Sequence, residues 1–255
     1  MIKKSIKKYY ISKKTKILEN FDTKINTFQT VILSQLGMAK TNELLIEIKD
    51  EYKRLIPEIV YIESQNNFLL REYKDISICL AFALVMKRHK YSKEEIAAYI
   101  FEIQKEMISS SANSNIRPIQ LLFNMLQIFP FNKLYRIILK NYEKRIRKEE
   151  KALNIQIHYV EGDGKNFDYG IDILRCPICD IWKKHNVSEI LPYVCLFDFF
   201  KSAITNSGLI RTMTLAEGKE KCDNRFKQGR KTQNKQETQF IKRKSILEGF
   251  FKNDK

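Results

Sequence analysis

Residues 167–179 read Phe-Asp-Tyr-Gly-Ile-Asp-Ile-Leu-Arg-Cys-Pro-Ile-Cys, and the spacing of their apolar positions changes part-way along. Phe167, Tyr169, Ile171 and Ile173 alternate with Asp168, Gly170 and Asp172, the period of a strand with one buried face. Ile178 to His185 then reads as a short helix, so Cys176 stands where strand gives way to helix. Upstream, Ile155, Ile157 and Tyr159 alternate with polar partners, and Glu161-Gly162-Asp163-Gly164 supplies a turn, which together predict a β-hairpin. Downstream, Ser188 can cap a helix running through Leu191, Val194, Phe197 and Phe200. Leu209 to Leu215 regains strand character, and Glu217-Gly218-Lys219-Glu220 turns the chain into a last strand over Cys222 to Lys227. Residues 151–227 are therefore expected to be α+β, a small, mostly antiparallel sheet with two helices.

Residues 21–150 keep helical spacing instead. Leu44, Leu45, Ile48, Tyr52, Leu55 and Ile56 form a stripe broken by Pro57, and Ile76 to Met86 is apolar on most sides, as a buried helix would be. Ser92 and Glu95 have capping-box spacing ahead of Ile96, Tyr99, Ile100 and Ile103. Pro118 suits the start of a segment reaching Phe129, and Phe131 to Glu150 reads as a long charged helix. The expected fold is a helical N-terminal layer packed on the sheet.

The 255 residues carry a net charge of +16, and its distribution matters more than its size. Residues 1–20 hold seven lysines against Glu19, and residues 227–255 hold nine Lys/Arg against Glu237, Glu248 and Asp254, so the ends account for 12 of the 16 charges. Residues 1–20 and 228–255 read as basic, solvated tails, the second flexible. The body between them has no basic stripe with interleaved aromatics, which argues against a nucleic-acid partner. No apolar run of about 18 residues and no signal-like apolar segment after the first lysines are present, so the chain reads as cytoplasmic, without stable membrane insertion. A homo-oligomer is compatible with the sequence, and the expected partner is a small-molecule substrate.

Four of the five cysteines, Cys176, Cys179, Cys195 and Cys222, fall between Tyr169 and Phe226. An odd number in such a chain argues against a disulfide framework and leaves thiols for catalysis or metal binding. Cys176, at a helix start, is the first choice of nucleophile, because backbone N–H groups and the helix dipole favour a thiolate there. Cys195 lies three residues ahead of Asp198 on one helix face, and Cys222 opens the last strand beside Asp223. Asp172, Asp198 and Asp223 are candidate proton carriers, Asp198 foremost, since His185 reads as an exposed polar residue. Arg211 and Arg225 are candidate receptors for a substrate carboxylate, and Asp172 joins them as a candidate substrate-binding residue. No cofactor is expected. The alternative is structural zinc on the four cysteines, for which Cys176-x-x-Cys179 has ligand spacing but Cys195 and Cys222 do not.

Tyr169-Gly170-Ile171-Asp172-Ile173 with Arg175-Cys176-Pro177, then Cys195 with Asp198-Phe199, Arg211-Thr212, Gly218 and Cys222-Asp223-Asn224-Arg225-Phe226, resembles in this order the L-2-amino-thiazoline-4-carboxylic acid hydrolase family. Leu55-Ile56-Pro57, Asn66-Asn67, the helix around Phe82 and the helix from Ser92 extend the resemblance to about residues 25–227. It implies hydrolytic opening of a cyclic amidine-like C–N bond in a cysteine-derived thiazoline, giving an N-carbamoyl amino acid. Three positions depart from the family's pattern. Glu63-Ser64 replaces a Gly-Gly pair, Asn224 replaces an aromatic residue, and Cys179 is an added thiol. The competing reading is a non-catalytic module that binds a small ligand or is stabilised by zinc.

Overall fold

The computed structural model describes residues 2–58, 68–104, 106, 136–141, 143–144, 155–227, 229 and 232–234. In chain order its elements are α1 (Ile2–Leu36), α2 (Met38–Leu55), α3 (Phe68–Arg88), α4 (93–104), α5 (136–141), β1 (Gln156–Glu161), β2 (Tyr169–Arg175), α6 (Pro177–Lys184), α7 (Leu191–Cys195), α8 (Phe197–Thr205), β3 (Leu209–Arg211), β4 (Cys222–Phe226) and β5 (Gln233–Asn234). The chain divides into two compact units. The class is α+β, as the change of apolar period at residue 155 implies. The helix expected from Pro118 to Phe129, the Glu63-Ser64 site and most of the helix expected from Phe131 to Glu150 lie outside the described residues.

The first unit comprises Met1–Asn113, Lys148–Ile155 and Cys176–Val194. Residues 1–20, read as a solvated tail, lead into helix: α1 begins at Ile2 and runs through them. It ends at Gly37, whose φ of 77° suits a residue without a Cβ, and whose carbonyl accepts from the Thr41 amide and hydroxyl at the start of α2. The expected stripe is buried on α2 through Leu44, Ile48, Tyr52 and Leu55, and Pro57 falls in the short 3-10 turn Ile56–Glu58 that ends it. Phe21 stacks on Tyr52 at 5.0 Å between ring centroids, while Phe82 of α3 lies 5.9 Å from both Phe28 and Tyr99. The capping box is formed: the Ser92 amide donates to Glu95 Oε2 at 2.7 Å and the Glu95 amide to Ser92 Oγ at 3.2 Å. On α6, Trp182 is fully buried, and His185 at the helix end lies 2.9 Å from Glu58 Oε2. His185 is therefore part-buried against Glu58, not the exposed residue the sequence suggested.

The second unit comprises Ser114–Arg147, Gln156–Arg175 and Cys195–Lys255. Its sheet has the order β1-β2-β4-β3-β5, antiparallel except for the β3–β5 pair. The predicted hairpin is β1–β2. Its turn is organised by Asp163, whose Oδ1 accepts from the amides of Lys165, Asn166 and Phe167. These bonds, with one from the Asn166 side chain, draw the Asp163 carboxyl down to about 2.

Three local features differ from the expected pattern, each for a long-range reason. The helix expected from Ser188 through Phe200 is broken at Leu196, because the Cys195 carbonyl accepts from Arg211 Nη2 at 2.7 Å. The Phe199 amide, its partner in an unbroken helix, bonds the Leu196 carbonyl instead. The strand expected to reach Leu215 stops at Arg211, because Asp223 draws the Thr212 and Met213 amides to its Oδ1 at 2.8 Å. A further strand, β5, lies inside the stretch read as a tail and pairs in parallel with Ile210 and Arg211. Ser202 Oγ on α8, 2.9 Å from Thr232 Oγ1, holds its start.

Candidate active site

The strands and α8 belong to the second unit, and the sheet register divides the strand residues between two faces. Ile173 is opposite Cys222, Asp172 opposite Asp223, Ile171 opposite Asn224 and Gly170 opposite Arg225. Opposed residues share a face and neighbours along a strand alternate. Cys222 and Asn224 therefore stand on one face, and Asp172, Asp223, Arg225 and Gly170 on the other. On β3, Leu209 is opposite Phe226 and Ile210 opposite Arg225, which sets Arg211 on the face of Cys222.

Arg211 organises that face. It is 2% exposed, yet it keeps its charge among opposed groups: Nη1 donates to Asp198 Oδ2 at 2.8 Å and Nη2 to the Cys195 carbonyl. Its guanidinium lies over the Phe199 ring at 4.7 Å. Burial works against the cation, but Asp198, Cys195 and Cys222 more than offset this and hold its pKa above the ordinary arginine value. Two thiols thus lie within the electrostatic reach of one enclosed guanidinium. The Cys222 sulfur is buried and carries two further neighbours: the Leu215 amide donates to it at 3.3 Å, and the Thr214 hydroxyl lies 3.3 Å away. The amide can bond to this sulfur and the cation can attract charge on it, while its burial opposes that charge.

The opposite face is an acid held by cations. Asp172 accepts from Arg225 Nη1 at 2.7 Å and from Lys221 Nζ at 2.8 Å. Burial raises the cost of its charge, and the two cations outweigh that, leaving the carboxyl below its usual range. Asp172 is accordingly more enclosed than Ile171 or Ile173, which alternation alone would have placed inside. Gly170 belongs to the same arrangement, because a Cβ there would stand 2.8 Å from Arg225 Cδ and 2.9 Å from its Nη1. Any other residue would make the arginine shift, so glycine leaves it room to lie across the strand and reach Asp172.

Asp223, a candidate proton carrier by sequence, has a bracing part in the structure. It accepts from the Thr212 amide and hydroxyl and from the Met213 amide, so it braces the segment after β3 and does not hold Arg225. That segment is the one that presents Thr214 and Leu215 to Cys222. Cys176 is the N-cap residue of α6, at the strand-to-helix junction that was expected, and its side chain makes no capping hydrogen bond. Cys176 and Cys179 belong to the first unit, Cys195 and Cys222 to the second.

Among the described residues, one group of three or more potential metal ligands has its donor atoms within 4.8 Å of one another: Glu43, Glu47 and His89. No cysteine belongs to it, and side-chain cations already sit against it, Lys40 Nζ at 2.8 Å from Glu43 and Arg88 at 3.6 Å from Glu47. Lys221, Thr214 and the Leu215 amide are the site groups that sequence reasoning missed. Lys221 adjoins the Cys222-Asp223 motif, but only the register of β2 against β4 reveals that it reaches Asp172.

A comparison with known families matches residues 74–226, more than half of the chain, with the family described as L-2-amino-thiazoline-4-carboxylic acid hydrolase. The chain belongs to this family. The match ends at Phe226, the last residue of β4, and takes in every candidate catalytic residue of this hydrolase family member. It begins 49 residues later than the resemblance read from the sequence at about residue 25. No curated protein and no solved structure matches the chain. No helix among the described residues is long and apolar enough to cross a membrane.

Proposed function

We propose that the protein is a hydrolase that opens a small cyclic amidine of the 2-amino-thiazoline-carboxylate type, with Cys222 as nucleophile. The observation that carries the reading is the surroundings of Cys222: a sulfur that accepts the Leu215 amide, lies beside the Thr214 hydroxyl and shares a sheet face with the buried Arg211 guanidinium. Cys222 takes the place of Cys176, the N-cap residue of α6, as first choice on the strength of these neighbours.

Atom balance refines the expected chemistry. A product with a carbamoyl group on the amino nitrogen keeps both nitrogens on the former amidine carbon, so the ring bond that breaks is C–S. Rupture of the ring C–N bond would give the S-carbamoyl isomer with a free amine. In the proposed sequence the Cys222 thiolate adds to the amidine carbon, and the ring sulfur leaves with the C–S electron pair and takes up a proton. The enzyme then carries an isothiourea on Cys222. Water adds to that carbon, its oxygen becomes the carbamoyl oxygen, and Cys222 departs as thiolate. Asp198, bonded to the same guanidinium, is the candidate base for the water. The carboxylate-receptor role expected of Arg211 and Arg225 is not retained. Arg211 is enclosed and committed to Asp198 and Cys195, and Arg225 is bound to Asp172 on the other face.

The test is incubation of the protein with L-2-amino-thiazoline-4-carboxylate, following ring loss by mass spectrometry and thiol release with a colorimetric reagent. Ring loss with one thiol per turnover, abolished in Cys222→Ala and retained in Cys176→Ala, is expected. Turnover without a new thiol would reassign the broken bond. Turnover that survives Cys222→Ala and fails in Cys176→Ala would reassign the nucleophile.

A further inference from the structure

The Cys222 face holds two polar atoms that the proposed chemistry leaves unused. Arg211 Nε and Asn224 Oδ1 are both buried, and neither has a hydrogen-bond partner among the described residues. Buried polar groups are paired in the great majority of cases, so two orphans in one place need an account. The register brings them together: the pairs Leu209–Phe226 and Ile210–Arg225 continue to Arg211 opposite Asn224, and Cys222 follows two residues along β4 on the same face. One orphan is a donor and the other an acceptor. The guanidinium cannot turn to satisfy itself, because Nη1 and Nη2 are fixed by Asp198 and the Cys195 carbonyl. A group that satisfies both atoms offers an N–H and an acceptor along one edge, as an amidine or a ureido group does. Asn224 moreover stands where the family resemblance leads one to expect an aromatic residue, so the acceptor belongs to this chain's own version of the site.

We propose that Asn224 is a specificity-determining residue: its Oδ1 accepts a hydrogen bond from the exocyclic N–H of a 2-amino-substituted ring, while Arg211 Nε donates to an acceptor on the same edge. The choice of ring rests on the hydrolase reading above; the contact itself does not require turnover. The test measures binding by calorimetry in full-length Cys222→Ala protein, with L-2-amino-thiazoline-4-carboxylate and its 2-methyl analogue, which has no N–H to donate. The amino compound is expected to bind at least roughly tenfold tighter than the methyl compound, because the latter leaves the buried acceptor unmade. Adding Asn224→Leu is expected to abolish or invert that preference while the methyl compound binds as before. Asn224→Ala serves in its place, with the same expectation, if the leucine variant does not fold. Equal affinity for the two compounds, an equal loss for both in the Asn224 variant, or no binding of either would overturn the proposal. Ring opening by the unmutated chain is scored separately, so that discrimination without turnover removes the hydrolase reading and leaves this one standing.

Discussion

Two cysteines of this chain show how environment decides what a thiol can do. Cys79, enclosed in α3, has its thiol pushed up to about 12, by burial first and by the charge of Asp75 second, and is inert near neutrality. Cys222 is also buried, but an amide, a hydroxyl and a guanidinium surround its sulfur. Replacing Arg211 by methionine removes the cation and keeps most of the volume. Alkylation of Cys222 by iodoacetamide at pH 7, followed by peptide mass mapping, is expected to slow at least about fivefold in Arg211→Met. An unchanged rate would detach the arginine from the thiol. Asp172 supplies a second prediction, with a definite sign. Its carboxyl lies below the ordinary value in the folded state, so the stability it contributes is present above the ordinary carboxylate range and is lost as pH falls through the depressed value. Asp172→Asn should therefore lower the urea midpoint at pH 7, and the gap from the parent protein should narrow progressively as pH falls below about 4. A gap of the same size at pH 7 and at pH 3 would mean that Asp172 acts through packing and not through its charge.

Among the elements, the segment after β3 matters more than any strand. Asp223 collects two amides and a hydroxyl from Thr212 and Met213, and Thr214, whose own oxygen accepts from the Ala216 amide, starts the 3-10 turn Leu215–Glu217. These bonds give the chain the path that lays Thr214 and Leu215 against Cys222. Asp223→Ala is expected to cost about 1–3 kcal/mol of stability and to lower turnover at least tenfold while the sheet's far-ultraviolet circular dichroism persists. Full turnover in this variant would show that the brace does not position the thiol. β5 makes the complementary case at the sheet edge. It pairs with Ile210 and Arg211, and Thr232 ties it to Ser202 on α8. Deleting residues 228–255 uncovers the backbone of the strand that carries Arg211, and a loss of about 1–2 kcal/mol in denaturant unfolding is expected. Unaltered stability would return these residues to the status of a tail.

Over the whole molecule, what was legible in the sequence was local. The alternation of Ile155 to Tyr159 and of Tyr169 to Ile173 gave the hairpin its strands, and Ser92 with Glu95 gave α4 its start, because both signals lie within a few residues. What escaped depends on partners distant in sequence. The break at Leu196 is made by an arginine 16 residues beyond the carbonyl it captures, and β5 has no strand-forming residues of its own, only a place beside β3. The candidate residues were named from their types, but their surroundings were not legible. Arg211, expected to hold a substrate, is enclosed beside the thiols, and Asp223, expected to move a proton, accepts from the segment after β3. Alternation along β4 separates Cys222 from Asp223 and Arg225, although the three stand within four residues of one another.

The most direct measurement is a rapid quench of the protein with L-2-amino-thiazoline-4-carboxylate in acid, followed by digestion and mass mapping of the cysteine peptides. The isothiourea is expected on Cys222 alone, accumulating within the first turnover and absent from Cys222→Ala. An adduct on Cys176 or Cys195, or steady turnover with every cysteine unmodified at all quench times, would contradict the account.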